Sequence, residues 1–383
     1  MVKTGLDRLI EEKEHVLKGK KIGLIMNHTS VDRNLHLSLD MLVELGFNVK
    51  AIFAPEHGVR GDVAAGQTVE NQVDARTNIP VYSLYGKQKR PTSEMLKEID
   101  VLIFDIQDLG VRFYTYIYTL AYCMEEAGKR GIEVYVLDRP NPINGATVTG
   151  NIVDPQFESF VGKYGLPIRH GMTVGELAQY FNRELNMNVR LTVVTMEGWK
   201  RTMSYDDTGL PWIMPSPNAT GKTMSALYPG TCFFEGTNVS EGRGTTAPFK
   251  WIGAPWIDAY KWRAEFEKLA LPGVQVRPVT FTPLISKYQG EVCYGLDLHI
   301  YNEDEFEPIE TSLGLIDSLV VLYRDKFQWT APINGRYFID LISGTDQVRR
   351  LGDRGDSLVN WIRGKGEEAK QFEEKRKPYL LYD

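Results

Sequence analysis

Apolar positions Leu6, Leu9, Ile10 and Leu17 are spaced for one face of a helix at the start of the chain. A continuous apolar run follows in "KKIGLIMNH", the pattern of a strand buried on both faces. From there two periods alternate. "LHLSLDMLVELGF" has helical spacing and ends at a glycine, and "VKAIFAPE" reads as a second strand. "TSEMLKEI" is a short helix behind a Ser/Thr cap, with Glu94 in its first turn. "DVLIFDIQD" is a third strand, "TYIYTLAYCMEEAGKRG" a helix closed by glycine, and "IEVYVLDRP" a fourth strand. Near-continuous apolar strands separated by helices predict a doubly wound parallel sheet of the α/β class.

The middle of the chain is less regular. A helix capped near Thr173 and a strand in "VRLTVVTMEGW" precede long loops dense in Gly, Pro, Asn and Thr, at residues 211–223 and 229–255. Loops of that length in a compact protein are usually functional. Beyond Trp256 the pattern changes to a helix, the strands "VQVRPVTFTP" and "VCYGLDLHIYN", and helical segments near 307–326, 345–352 and 356–375. The expected division is residues 1–250 for an α/β lobe and 251–383 for a smaller α+β lobe.

Composition narrows the function classes. The 383 residues are 43% hydrophobic and 25% charged, enough for a large core without disulfides. A net charge of −6 disfavours a dedicated nucleic-acid binder. Cys123, Cys232 and Cys293 are scattered and odd in number, so neither a disulfide framework nor a zinc site is expected. The N-terminus lacks a signal-peptide core, and no stretch approaches the roughly 20 apolar residues of a membrane helix. As given, the chain is expected to be cytoplasmic, or exported if a leader has been removed, and without a membrane partner.

Ligands of doubly wound sheets bind outside the carboxyl ends of the strands. Here those ends are chemically rich. The first delivers Asn27, and the second, in "AIFAPEHGVRGD", delivers Glu56 and His57 before flexible glycines and Asp62. The third delivers Asp105, Gln107, Asp108 and, after a turn, Arg112, Tyr114 and Tyr116; the fourth delivers Asp138, Arg139 and Asn141. Apolar Phe53, Ala54 and Pro55 would desolvate Glu56, the setting a general acid needs. An arginine beside aromatic rings suits an anionic sugar. "EGTNVSEGRGTTAPF" adds Glu235, Asn238, Glu241 and Arg243 on one loop, and Arg169 and His170 lie on another. No GxGxxG follows the first strand, "SPNATGKT" lacks the first glycine of a P-loop, and neither HExxH nor GxSxG occurs. A nicotinamide dehydrogenase, an NTPase and a metallo- or serine hydrolase are therefore disfavoured.

Eight ordered blocks, among them "GLIMNHTSVDR", "IFAPEHGVRG", "DIQDLGVRFYTY", "VLDRPNPI", "GLPIRHGMT", "MPSPN" and "YPGTCFFEGTNVSEGRGT", resemble the exo-β-N-acetylmuramidases, peptidoglycan hexosaminidases long catalogued as a domain of unknown function. The resemblance covers essentially the whole chain. It implies a Rossmann-like lobe and a smaller α+β lobe with the active site in the cleft between them. It also implies release of terminal N-acetylmuramic acid from the non-reducing end of peptidoglycan fragments, without a cofactor or metal. The family's catalytic glutamate corresponds to Glu56.

The expected roles follow. Glu56 is the general acid and His57 orients it. A second carboxylate is sought among Asp108, Glu241, Asp105 and Asp138, in that order. Asn27, Asp105, Gln107, Arg112, Tyr114, Asp138, Arg139, Asn141, Arg169, His170, Asn218, Glu235, Asn238 and Arg243 are the candidate sugar contacts. Arg112 or Arg243 is expected to hold the lactyl carboxylate. The competing readings are a non-catalytic muropeptide sensor using the same cleft, and an amidase or esterase, for which no nucleophile or metal motif is found.

Overall fold

Seven strands build the main sheet of this computed structural model, which describes residues 1–12, 14–60 and 72–383. Asp62 lies outside the described residues. In chain order these strands are β1 (Lys21–Met26), β2 (Asn48–Ala54), β3 (Gln72–Val73), β4 (Pro80–Ser83), β5 (Val101–Asp105), β6 (Glu133–Leu137) and, further on, β9 (Leu191–Val194). Between them β7 (Thr149–Ile152) and β8 (Pro167–Arg169) form a separate antiparallel pair. The sheet order is β3-β4-β2-β1-β5-β6-β9, and every pairing is parallel except that of the short edge strand β3. The expected α/β sheet is present.

The apolar runs of the sequence have the two-sided burial they require. One face of the sheet packs Leu24, Ile52, Ile103 and Leu137 on Leu6 and Leu9 of the N-terminal helix Gly5–Glu12. The other packs Phe53, Phe104 and Val136 on the helix Tyr116–Gly128, and this core continues without a break through Phe234 to Trp262, Leu298 and Leu313 of the second lobe.

The second lobe is built on a three-stranded antiparallel sheet, β10 (Trp251–Ala254), β12 (Cys293–Ile300) and β11 (Val274–Phe281), in that spatial order. Its long helix Pro308–Tyr323 crosses the helix Lys222–Thr231. A Cβ on Gly230 would stand 1.9 Å from the Pro308 carbonyl oxygen, so the glycine sets how closely these helices approach. The chain then returns to the first lobe. The Arg376 guanidinium donates to the Gly145 and Ala146 carbonyls, the Arg201 amide donates to the Asp383 carbonyl, and the Tyr382 hydroxyl donates to Asp138 Oδ2 at 2.5 Å. No helix among the described residues is long and apolar enough to cross a membrane.

Candidate active site

The central crevice of a doubly wound sheet lies where the strand order reverses, here between β1 and β5. In this protein that crevice is filled by its own polar groups. Asn27 Oδ1 accepts from the amide and hydroxyl of Thr29, whose Oγ1 accepts from the Gln107 amide at 3.0 Å. Ser30 donates to the Asp105 carbonyl, and Asp105 is paired with Arg139 Nε at 2.6 Å. Asp138 accepts from Thr173, Gly175 and Tyr382. Gln107 donates to the Asp108 and Pro140 carbonyls, and Asn141 donates to the Met172 carbonyl. All these strand-end side chains are buried, and their hydrogen bonds brace one strand end against the next.

The open cavity, of about 880 Å³, is displaced toward the β2–β4 side of the sheet and lies against the second lobe. Glu56 and His57 reach it from the turn after β2. The chain can turn there because His57 and Gly58 both adopt positive φ, 74° and 75°, and the Gly58 amide closes onto the Pro55 carbonyl at 3.2 Å. A buried His57 in that conformation is a constrained residue beside a half-buried carboxylate. The Thr115 hydroxyl donates to Glu56 Oε2 at 3.3 Å. Tyr85, on the loop after β4, is pushed to a higher pKa first by burial, then by Glu56 and more weakly by Glu235, so its ring stands within the field of both carboxylates. Tyr114 and Tyr116 extend this aromatic wall with rings 5.0 Å apart and edge to face.

Glu235 faces the same cavity from the 3₁₀ turn Cys232–Gly236 that continues the helix Lys222–Thr231. Its Oε1 is 2.9 Å from Arg243 Nη2. Burial raises the Glu235 pKa above the ordinary glutamate value; Arg243 opposes the rise and neighbouring Glu241 adds to it. Arg243 lies over the Phe249 ring, 5.0 Å from its centroid, and Phe249 and Asn218 also line the cavity.

Of the residues singled out from the sequence, Glu56, His57, Tyr114, Tyr116, Asn218, Glu235 and Arg243 share this cavity. The others are placed elsewhere. Asp108 is buried behind the wall with Oδ2 accepting from the Gly110 amide at 2.6 Å, and burial lifts its carboxyl to about 7. Glu241 is buried between Arg243 Nε at 3.2 Å and Lys287 Nζ at 2.9 Å. Neither lines the cavity, and Asp105 and Asp138 belong to the bracing network; of the carboxylates singled out from the sequence, Glu56 and Glu235 are the ones that line it. Arg112 is fully buried, with its guanidinium donating to the carbonyls of Asn151, Leu166, Ile342 and Ser343, which removes it as a clamp for a ligand carboxylate. Arg169 donates to the Ile143 carbonyl; His170, lowered to about 3 by burial, stays neutral; Asn238 donates to the Lys326 carbonyl. Tyr85, Lys89, Phe160 and Tyr228 line the cavity and carried no sequence signal beyond being aromatic or basic in a loop or helix.

Two family models, the N-terminal and C-terminal parts of the exo-β-N-acetylmuramidase NamZ, match residues 22–223 and 226–382. The chain belongs to the NamZ family. It is 47% identical over 382 residues to the peptidoglycan β-N-acetylmuramidase NamZ of Bacillus subtilis strain 168, covering 100% of this chain and 91% of that protein. A DUF1343 family protein from Bacteroides fragilis has a TM-score of 0.92 at 38% identity, over 100% of this chain and 99% of that one. A second from the same organism has a TM-score of 0.79 at 33% identity, with the same coverage. The junction of the two NamZ models falls at the start of the helix Lys222–Thr231, which carries Met224 and Tyr228 into the cavity and leads directly to Glu235.

Proposed function

We propose that this NamZ family protein is a glycoside hydrolase that removes terminal N-acetylmuramic acid from the non-reducing end of peptidoglycan fragments. The reaction class rests on the family and on the B. subtilis relative. The observation that carries the chemical reading is the presence of Glu56, from the turn after β2, and Glu235, from the 3₁₀ turn Cys232–Gly236, on a single tyrosine-walled cavity. Glycoside hydrolysis uses such a pair of carboxyl groups about an oxocarbenium-like transition state.

In this reading Glu56 is the general acid. It is half-buried, so it can recover its proton from solvent, and the Thr115 hydroxyl fixes one carboxyl oxygen. It protonates the glycosidic oxygen as the bond to the anomeric carbon breaks. His57, strained and buried beside it, holds the turn that aims it. Glu235 is the second carboxylate. Arg243 balances its charge, while burial lifts its basicity toward working pH, which is the tuning a base requires. It stabilises positive charge at the anomeric carbon and takes the proton of the attacking water. The cavity volume is that of an ordinary small-molecule site, and the loops around Asn218 and Arg243 wall it, which favours a chain end over the middle of a glycan.

Purified protein incubated with a chromogenic β-N-acetylmuraminide tests this directly. Release of the aglycone together with free N-acetylmuramic acid is the expected result. Binding without turnover would replace the hydrolase by a muropeptide sensor.

A further inference from the structure

The reacting end of the cavity carries two carboxylates, and Arg243 is committed to Glu235 and Glu241. A substrate bringing its own carboxylate needs a cation elsewhere. Lys89 lines the same cavity and makes no ion pair with a carboxylate among the described residues. Its ammonium lies 4.4 Å from the centroid of Phe160, itself a lining residue. Phe160 stacks on Tyr122 with centroids 5.8 Å apart, and the neighbouring Arg90 lies 3.9 Å from the Tyr122 centroid while pairing with Glu125. Lys89 and Arg90 are thus pinned by a two-ring column, on the loop that also carries Tyr85.

We infer that Lys89 is the specificity-determining residue that pairs with the lactyl carboxylate of the muramic sugar; this rests on the hydrolase reading above. Three features support it. The ring face partly offsets the ammonium charge while the cavity is empty, and an anion can add to that contact without displacing it. The side chain is already held near one geometry, so little rotamer freedom is lost when a carboxylate arrives. N-Acetylglucosamine has only a hydroxyl at the lactyl position. It would leave Lys89 without a counter-charge and would face two glutamates with nothing gained in exchange.

The test compares a chromogenic β-N-acetylmuraminide bearing the free lactyl carboxylate with its lactyl methyl ester, using wild type, Lys89→Met, Lys89→Gln and Lys89→Arg. Wild type should prefer the acid by about 10–100-fold in kcat/KM, mostly through KM, as an interaction made equally in ground and transition states requires. Lys89→Met and Lys89→Gln should collapse the preference to within about threefold, and Lys89→Arg should restore most of it. A folded Lys89→Met or Lys89→Gln enzyme that keeps the wild-type preference overturns Lys89 as the reader and leaves the hydrolase assignment standing. Failure of wild type to cleave either substrate overturns that assignment and the inference with it.

Discussion

Arg243 Nη2 lies 2.9 Å from Glu235 Oε1, so the second carboxylate of the cavity is one half of an ion pair. The same guanidinium reaches Glu241 with its Nε at 3.2 Å. Removing it would leave Glu235 buried beside Glu241 without its own cationic partner, with Lys287, which pairs with Glu241, as the remaining nearby cation. The Glu235 carboxyl would then hold its proton to higher pH. A base must be ionised to act, so Arg243→Met is expected to move the acidic limb of the kcat/KM profile toward alkaline pH and to lower the plateau. Arg243→Lys should keep the limb near its wild-type position. A pH–rate profile of the two variants measures this, and an unmoved limb in Arg243→Met would remove Glu235 from the base role.

Glu56→Gln preserves the shape of the side chain and its contact with Thr115 while removing the transferable proton. The expected loss is roughly 10²–10⁴ in kcat, the usual worth of general acid–base catalysis. The melting temperature should barely change, because Glu56 is half-buried on a loop and glutamine keeps its volume and an oxygen to accept from Thr115. Turnover within tenfold of wild type would end the assignment.

Much of this architecture is legible in the sequence, because apolar runs of β1, β2, β5 and β6 need burial on both faces and a parallel sheet covered by helices supplies it. Glu56 and His57 are legible for the same reason: a strand end followed by glycine is where such a sheet presents chemistry. The misplaced residues share one cause. Asn27, Asp105, Gln107, Asp138, Arg139 and Asn141 do sit at the predicted strand ends, yet most are engaged by groups from neighbouring loops and strands, as Asp105 is by Arg139 and Asn141 by the Met172 carbonyl, and a pairing between distant segments leaves no trace in either segment alone. Glu235 reads in the sequence as a sugar contact and not as the second carboxylate proposed above, because the helix Lys222–Thr231 that leads to its 3₁₀ turn is hidden. Pro229 and Gly230 read as breakers, whereas Gly230 is there for the close crossing at Pro308. Strand β10 was hidden likewise inside a glycine-rich stretch.

Arg112 gives a prediction opposite to the one its sequence position suggests. A clamp for a substrate carboxylate would show its loss in KM. Four carbonyl oxygens instead converge on this fully buried guanidinium, from both β7 and the helix Phe338–Ser343 of the second lobe. Arg112→Met strips those acceptors of their donor in a site water does not reach. Unsatisfied buried acceptors cost about 1–3 kcal/mol each and do not add fully. A fall in melting temperature of roughly 5–10 °C is expected. KM of the folded fraction should stay near the wild-type value. An unchanged melting temperature with a raised KM would return Arg112 to the substrate.

Asp108 supplies a stability test that is independent of activity. Its carboxyl is buried, has no cationic partner among the described residues, and is lifted to about 7 by that burial. An unfolded aspartate titrates near 4. Between those values the native state therefore holds a proton that the unfolded chain has released. By linkage, stability falls as pH rises through that window and levels off above about 7. Asp108→Asn keeps an oxygen to accept from the Gly110 amide and cannot ionise. The variant should gain on wild type as the pH goes from 5 to 8, by an upper figure of about 3 kcal/mol, since each pKa unit is worth about 1.4 kcal/mol. Melting curves of both proteins at pH 5, 6, 7 and 8 measure the gap. A gap that is constant across the series would mean that Asp108 does not titrate as a buried acid, and would reopen its place among the groups that meet the substrate.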